Sequence, residues 1–229
     1  MVQNNINLAK HNIQTWLVDF DETLAVGTLT WVLKYTFPKF IIDHQLAYDE
    51  TRLEKVMVTL QERSRQNPDS ALLLTSLFEM MEWPQSLQAE FMADIGSNYR
   101  PSLFDDTLPF LQHMKAGKRR VYVVSNNKHT PLNMQMLQLD EYVTGVFTPK
   151  TSPGTQPKPH ASLWEFITTQ NVDIDPHTTG VIGDDPWTDG AFAENCGLPC
   201  WIVDRTKRLS ELYSQKPYNW VQSLLDIPS

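Results

Sequence analysis

Nowhere does the chain present the roughly 20 consecutive apolar residues that cross a bilayer, so a membrane-spanning class is not expected. Basic charge is short as well. Lys and Arg number 19 against 27 Asp and Glu, a formal net charge of -8. Phosphate backbones call for a basic face, so nucleic acid is not an expected partner. A small anionic ligand needs only local positive charge and stays open. Cysteine is nearly absent: Cys196 and Cys200 stand in NCGLPC. Two cysteines make no secreted disulfide framework, and their spacing is not that of a zinc site. The six histidines are scattered, with no pair at ligand spacing. The start, MVQNNINLAK, lacks a basic segment followed by an apolar run, so no signal peptide is expected. Together these absences predict a cytoplasmic protein in a reduced compartment.

What is present is ordinary globular composition, 41% hydrophobic and 20% charged over 229 residues. That suffices for one large domain, or for a core domain with a smaller insertion. No internal repeat or low-complexity tract interrupts it. Three segments share one design, an apolar, β-prone run closed by small polar or acidic residues: Gln14 to Phe20, running into DFDET; VYVVSNN, Val121 to Asn127; and TGVIGDD, Thr179 to Asp185. CWIVD (200–204) and YVTGVF (142–147) read as two further strands. Helical patterns lie between them at 107–115, 162–170 and 189–195, the last stopped by Gly197. Strands alternating with helices predict an α/β fold, a Rossmann-like parallel sheet flanked by helices. Ligands of such sheets bind beyond the C-terminal strand ends, where the three polar tails fall.

Residues 28–100 read differently. Leu53, Val56, Met57 and Leu60 follow the i, i+3, i+4, i+7 pattern of an amphipathic helix over 52–63. Asn67-Pro68-Asp69-Ser70 signals a turn, 71–81 and 86–95 read as helices, and Trp83-Pro84 separates them. The expected organisation is therefore a core of 1–27 and 101–229, with a small all-helical domain, 28–100, inserted after the first strand.

Two aspartates one residue apart at a strand end repel each other and call for a cation. A carboxylate can attack phosphorus and form an acyl phosphate, given charge neutralisation, an acid for the leaving oxygen and later a base for water. Candidates exist for each role. Asp19 ends a strand, and Asp21 can enter the same site from the following turn. The Ser125 hydroxyl can hold a phosphoryl oxygen. Lys158 lies in a loop stiffened by prolines. Asp184, Asp185 and Asp189 offer hard oxygen ligands suited to Mg²⁺.

In this order the residues resemble the haloacid dehalogenase-like (HAD) hydrolases. The resemblance rests on Asp19-Phe20-Asp21-Glu22-Thr23, on Ser125 followed by Asn126, on Lys158-Pro159, and on Gly183-Asp184 through Asp189. It extends over roughly 12–27 and 101–225, and the position of the helical insertion is that of the class-one cap of this family. It implies Asp19 as nucleophile and Asp21 as general acid and base, with its carbonyl on Mg²⁺. Ser125 and Lys158 would hold the phosphoryl group, with Thr23 and Asn126 lining the substrate side. Asp19, Asp21, Asp184 and Asp189 would make the metal site, Asp189 through water or by orienting it. An acid at position 21 points away from dehalogenase and phosphonatase chemistry. The expectation is thus a Mg²⁺-dependent phosphatase, resembling those called phosphoglycolate phosphatases, acting on a small phosphorylated metabolite through an aspartyl phosphate. A sugar phosphomutase and a catalytically silent binding protein on the same fold are the alternatives.

Each motif alone has a plainer reading: acids at a turn, a Ser-Asn-Asn turn, an N-capping Gly-Asp-Asp. Their order at successive strand ends is what makes the pattern specific. For Trp187, loop packing is the expectation. For Lys34, Lys39, Arg52, Lys55, Arg63 and Arg65 it is a solvated helix face, and for Trp31, Phe37 and Phe40 packing within the insertion. His160, near Lys158, reads as structural or solvated.

Overall fold

The computed structural model describes residues 12–66 and 70–228. The chain forms two compact units. One ends at Ala25 and resumes at Leu103, and the other is Val26–Ser102.

The first unit is built on six parallel strands: β1 (Thr15–Val18), β2 (Arg120–Val124), β3 (Gly145–Phe147), β4 (Thr179–Gly183), β5 (Cys200–Val203) and β6 (Asn219–Val221), in the order β3-β2-β1-β4-β5-β6. The expected α/β architecture is therefore present. Successive side chains on a strand point to opposite faces, and the packing follows that alternation. Trp16, Val18, Val121, Val123, Ile182, Trp201 and Val203 face one side. Leu17, Tyr122, Val124, Val181, Cys200 and Ile202 face the other. Burial on both faces is why these strands read as continuous apolar runs. Helices Thr107–Ala116 and Ser162–Gln170 cover the sheet where the sequence placed them.

Two boundaries differ from expectation. The strand read from Tyr142 begins only at Gly145, because Asp140–Tyr142 form a 3₁₀ turn and Tyr142 and Val143 pack against the first face instead. The helix read from Asp189 begins at Ala191, after a wide π-type turn over Pro186–Gly190. Its end is as expected: Gly197 takes φ 68, the left-handed position that glycine occupies without strain.

The second unit contains helices Thr28–Trp31, Phe37–Asp43, Glu50–Gln66, Ser70–Met81 and Gln88–Asn98, with a π-type stretch at Val32–Thr36. The turn expected at Asn67-Pro68-Asp69 lies outside the described residues, as do the side chains of Met57 and Arg65. No strand forms among this unit's described residues. Its core is its own: Phe37, Phe40, Leu60, Phe78, Trp83 and Phe91 pack together, with Phe40, Phe78 and Phe91 in mutual edge-to-face contact. Lys39 pairs with Asp43, Arg52 with Glu82, and Arg63 donates to Ser76, all on the unit's surface. Among the described residues, no helix is long and apolar enough to cross a membrane.

Candidate active site

The C-terminal ends of β1, β2 and β4 adjoin in the sheet, so whatever follows them is brought together. Asp19 follows β1 directly, its amide bonded to the Ile182 carbonyl of β4. The chain then turns sharply. Glu22 takes φ 60, and the amides of Leu24 and Ala25 both return to the Phe20 carbonyl. This turn brings Asp21 back to the strand ends and seals Thr23 inside. Arg205, just past β5, clamps the turn from outside: it donates to the Thr23 carbonyl at 2.9 Å and to Asp106 at 2.6 Å, and it stacks on Phe104.

Ser125 ends β2 and is buried. Its hydroxyl oxygen accepts the Asn127 amide N–H at 3.1 Å. Asn126 and Lys158 exchange two hydrogen bonds: the Lys158 amide donates to Asn126 Oδ1 at 2.7 Å, and Asn126 Nδ2 donates to the Lys158 carbonyl at 2.9 Å. That pairing fixes the Lys158 backbone although the residue sits in a loop. Its ammonium, 5% exposed as a residue, lies 2.6 Å from Asp19 Oδ1 and 2.5 Å from Asp189 Oδ1.

The β4 end explains its own glycine. The other oxygen of Asp189 accepts the amides of Asp184 and Asp185, each at 3.2 Å, so the side chain folds back over the strand end. A Cβ on Gly183 would stand 2.2 Å from Asp189 Cγ, which excludes any other residue there. Asp185 accepts the Trp187 amide and shapes the turn. Trp187 packs edge-on against Tyr213 at 4.5 Å, the loop packing expected of it. Beneath the turn, Tyr218 presses on Gly190, and its hydroxyl lies 2.6 Å from Glu194. His160 is exposed, its Nδ1 accepting the Ser162 amide.

The structure thus gathers the residues singled out in the sequence. Carboxylate oxygens of Asp19, Asp184 and Asp189 all lie within 4.8 Å of one another. Thr23 Oγ1 donates to Asp184 at 3.4 Å. Burial, with the charges of Asp189 and Asp21, pushes the Asp19 carboxyl far above the usual range, against the pull of Lys158. Burial likewise raises Asp184. Asp21 is raised to about 6 by burial, opposed by its hydrogen bond from Asn127. Burial alone would lower Lys158, but Asp189 and Asp19 outweigh it and hold the ammonium charged. Three crowded carboxylates against one lysine leave negative charge unbalanced. One Asp21 oxygen, Oδ1, is buried without a hydrogen-bond partner. Hard oxygen donors at this spacing, with charge left over, fit a divalent cation such as Mg²⁺.

Asn127, which the sequence reading passed over, donates to Asp21 Oδ2 at 3.0 Å. Its only signal was its place in the polar tail of β2. Arg205, Gly190 and Tyr218 carried no signal, because their roles depend on contacts across the chain.

A model described as HAD-hydrolase-like matches residues 156–227. No curated protein sequence matches the chain. Among solved structures, the chain is similar to YfnB of Bacillus subtilis, described as a HAD-hydrolase and solved bound to magnesium, at 14% identity and a TM-score of 0.73, over 93% of this chain and 96% of that one. It is similar to a protein of Thermotoga maritima described as a beta-phosphoglucomutase, at 13% identity and TM-score 0.71, over 93% and 95% of the two chains. A third, from Haemophilus somnus and described as a phosphoglycolate phosphatase, gives 15% identity and TM-score 0.67 over 94% and 96%. The fold is that of the HAD-like hydrolases, and the C-terminal third carries their sequence pattern; the resemblance read from the four motifs is borne out on both counts.

Proposed function

We propose that the protein is a Mg²⁺-dependent phosphatase acting on a small phosphorylated metabolite through an aspartyl phosphate on Asp19. The observation that carries this reading is the convergence of Asp19, Asp21, Ser125, Lys158 and Asp184 on one set of strand ends, with Asp21 held by Asn127 beside the nucleophile.

Asp19, Asp184 and the backbone carbonyl of Asp21 would hold the cation, which supplies positive charge opposite the phosphoryl oxygens. Asp189 has both oxygens engaged by protein donors, so it orients Lys158 and the turn rather than binding directly. Lys158 and the Ser125 hydroxyl bind the phosphoryl group, Ser125 with its proton free because its oxygen accepts from Asn127. Thr23 and Asn126 support these groups through Asp184 and the Lys158 backbone. Asp19 attacks phosphorus as Asp21 gives a proton to the leaving oxygen. Asp21 then takes a proton from the water that releases phosphate. The helical unit, Val26–Ser102, is read as a class-one cap that sets specificity. Cys196 and Cys200 are both free, which accords with a cytoplasmic setting.

Phosphate release from a panel of phosphomonoesters, with and without Mg²⁺, for wild type and Asp19→Asn tests the reading. Release that needs Mg²⁺ and is lost in the variant supports it; full activity in the variant overturns it. The same residues would serve a phosphomutase, and the T. maritima neighbour is described as one. A sugar monophosphate distinguishes the two, since a mutase returns an isomer and a phosphatase returns free phosphate.

A further inference from the structure

The turn that carries Asp189 is wider than an α-helical turn. The amides of Asp189 and Gly190 both donate to the Asp185 carbonyl, at 2.8 and 3.2 Å, and the Ala191 amide reaches back to Pro186. In an α turn Gly190 would donate to Pro186 instead, four residues back. Turns of this width are rare and occur mostly singly, so a contact from outside must favour this one. The width matters to the site. It lays Asp189 over Gly183, where one carboxylate oxygen accepts the amides of Asp184 and Asp185 and the other meets the Lys158 ammonium. Tyr218, buried at the entry to β6 and 32 positions from Pro186, supplies the outside contact. Its ring fills the space beside Gly190 that a Cβ would need. Its hydroxyl faces two acceptors: the Glu194 carboxylate at 2.6 Å, on the helix that follows the turn, and the Pro186 carbonyl at 3.2 Å, at the turn's start.

We infer that Tyr218 is a positioning residue for phosphoryl binding: it holds this turn in its wide register and, through Asp189, sets where the Lys158 ammonium stands. The role given to Lys158 rests on the phosphatase reading above. One phenol touches the start of the turn, its last residue and the helix beyond it. Closing the turn to the α register would displace the chain by one residue, about 100° around the helix axis. Asp189 or Ala191 would then come where Gly190 now meets the ring, and the ring leaves no room for a Cβ there. Without the ring the α register becomes open to the chain, and Asp189 leaves its place over Gly183. Of the two carboxylate partners of Lys158, Asp19 alone would remain, at 2.6 Å. The ammonium would then pair with the nucleophile rather than stand between two acids, ready for phosphoryl oxygens.

Inorganic phosphate is the probe. It is titrated by calorimetry, with Mg²⁺ present, into wild type, Tyr218→Phe and Tyr218→Leu, at a temperature where urea unfolding shows each protein folded. Phe keeps the ring and removes the hydroxyl; Leu removes both. The dissociation constant should rise about threefold in the Phe variant, the scale of one hydrogen bond, and roughly tenfold or more in the Leu variant. A crystal structure of the Leu variant should show the Gly190 amide on the Pro186 carbonyl and Asp189 away from Lys158. If the Leu variant does not fold, the Phe variant decides. A merely structural role would lower the urea midpoint and leave phosphate affinity unchanged. That result would overturn the inference, as would a variant crystal in which Asp189 still meets Lys158. A wild type that neither binds phosphate nor cleaves a phosphomonoester would instead show that the phosphatase reading fails, and the role in phosphoryl binding falls with it.

Discussion

The ammonium of Lys158 lies 2.6 Å from a carboxylate oxygen of Asp19, in a site where both side chains are almost wholly shielded from water. Its second contact, to Asp189 at 2.5 Å, makes it the bridge between the end of β1 and the turn after β4. A buried cation shared by two acids binds strand ends that would otherwise repel.

Replacing Lys158 by Met should therefore harm the fold as well as activity. Leaving the buried acids uncompensated should cost roughly 3 kcal/mol, softened where a carboxyl takes up a proton. Urea unfolding at pH 7 measures it. Lys158→Met should unfold at a lower midpoint than wild type with a similar slope, and phosphate release should be lost. An unchanged midpoint would show that the pairing contributes nothing to stability.

A second prediction concerns the turn that carries Asp189. A Cβ on Gly190 would stand 2.5 Å from Tyr218 Cζ and 2.7 Å from its hydroxyl. Gly190→Ala should then cost about 1–3 kcal/mol through overpacking. Tyr218→Leu should also destabilise, by leaving a void. The double variant should cost less than the sum, because the new methyl occupies space the ring vacates. Additive losses would show that the two residues do not share that space.

Asp106 predicts a pH dependence of stability. Burial would raise its carboxyl, but hydrogen bonds from Arg205, the Leu224 amide and Ser223 outweigh it and hold it below the usual range. For a group depressed in the folded state, the contribution is present above the unfolded value, about 3.9, and is lost as pH falls through the folded value. Stability measured by urea should fall as pH is lowered below about 4. Asp106→Asn should be less stable at pH 7 and show a flatter decline over that acid range. A wild type and variant with parallel declines would rule out this residue as a source.

Cation binding has a test apart from turnover. A ligand that binds only the folded state raises the melting temperature with its concentration. Mg²⁺ should do so for wild type and much less for Asp184→Asn, read by calorimetry without substrate. An equal shift in both would place the cation elsewhere.

Much of this was legible in the sequence, and the reason is local. Strands buried on both faces need continuous apolar runs, so β1, β2, β4 and β5 announce themselves, and the polar residues that follow β1, β2 and β4 include Asp19, Ser125 and Asp184 of the site. Lys158 was legible only by its place in the order of motifs, because its loop has no periodicity and its position depends on the amide of Asn126. β6, Asn219–Val221, escaped because its three residues are only half-buried and too short to alternate. The helix Thr130–Met136 escaped for a related reason: His129, Thr130 and Pro131 give turn-like punctuation at its start. Asn127 escaped because a polar residue after a strand is usually a turn, and its contact with Asp21 joins residues 106 positions apart.

The measurement that bears most directly on the account is the site of covalent attachment. A reaction with p-nitrophenyl phosphate and Mg²⁺ would be quenched in acid during turnover, and the protein digested and analysed by mass. The account predicts a phosphoryl group on the peptide carrying Asp19, absent from Asp19→Asn. Phosphoryl on the peptide carrying Ser125, or turnover with none on the protein, would contradict it.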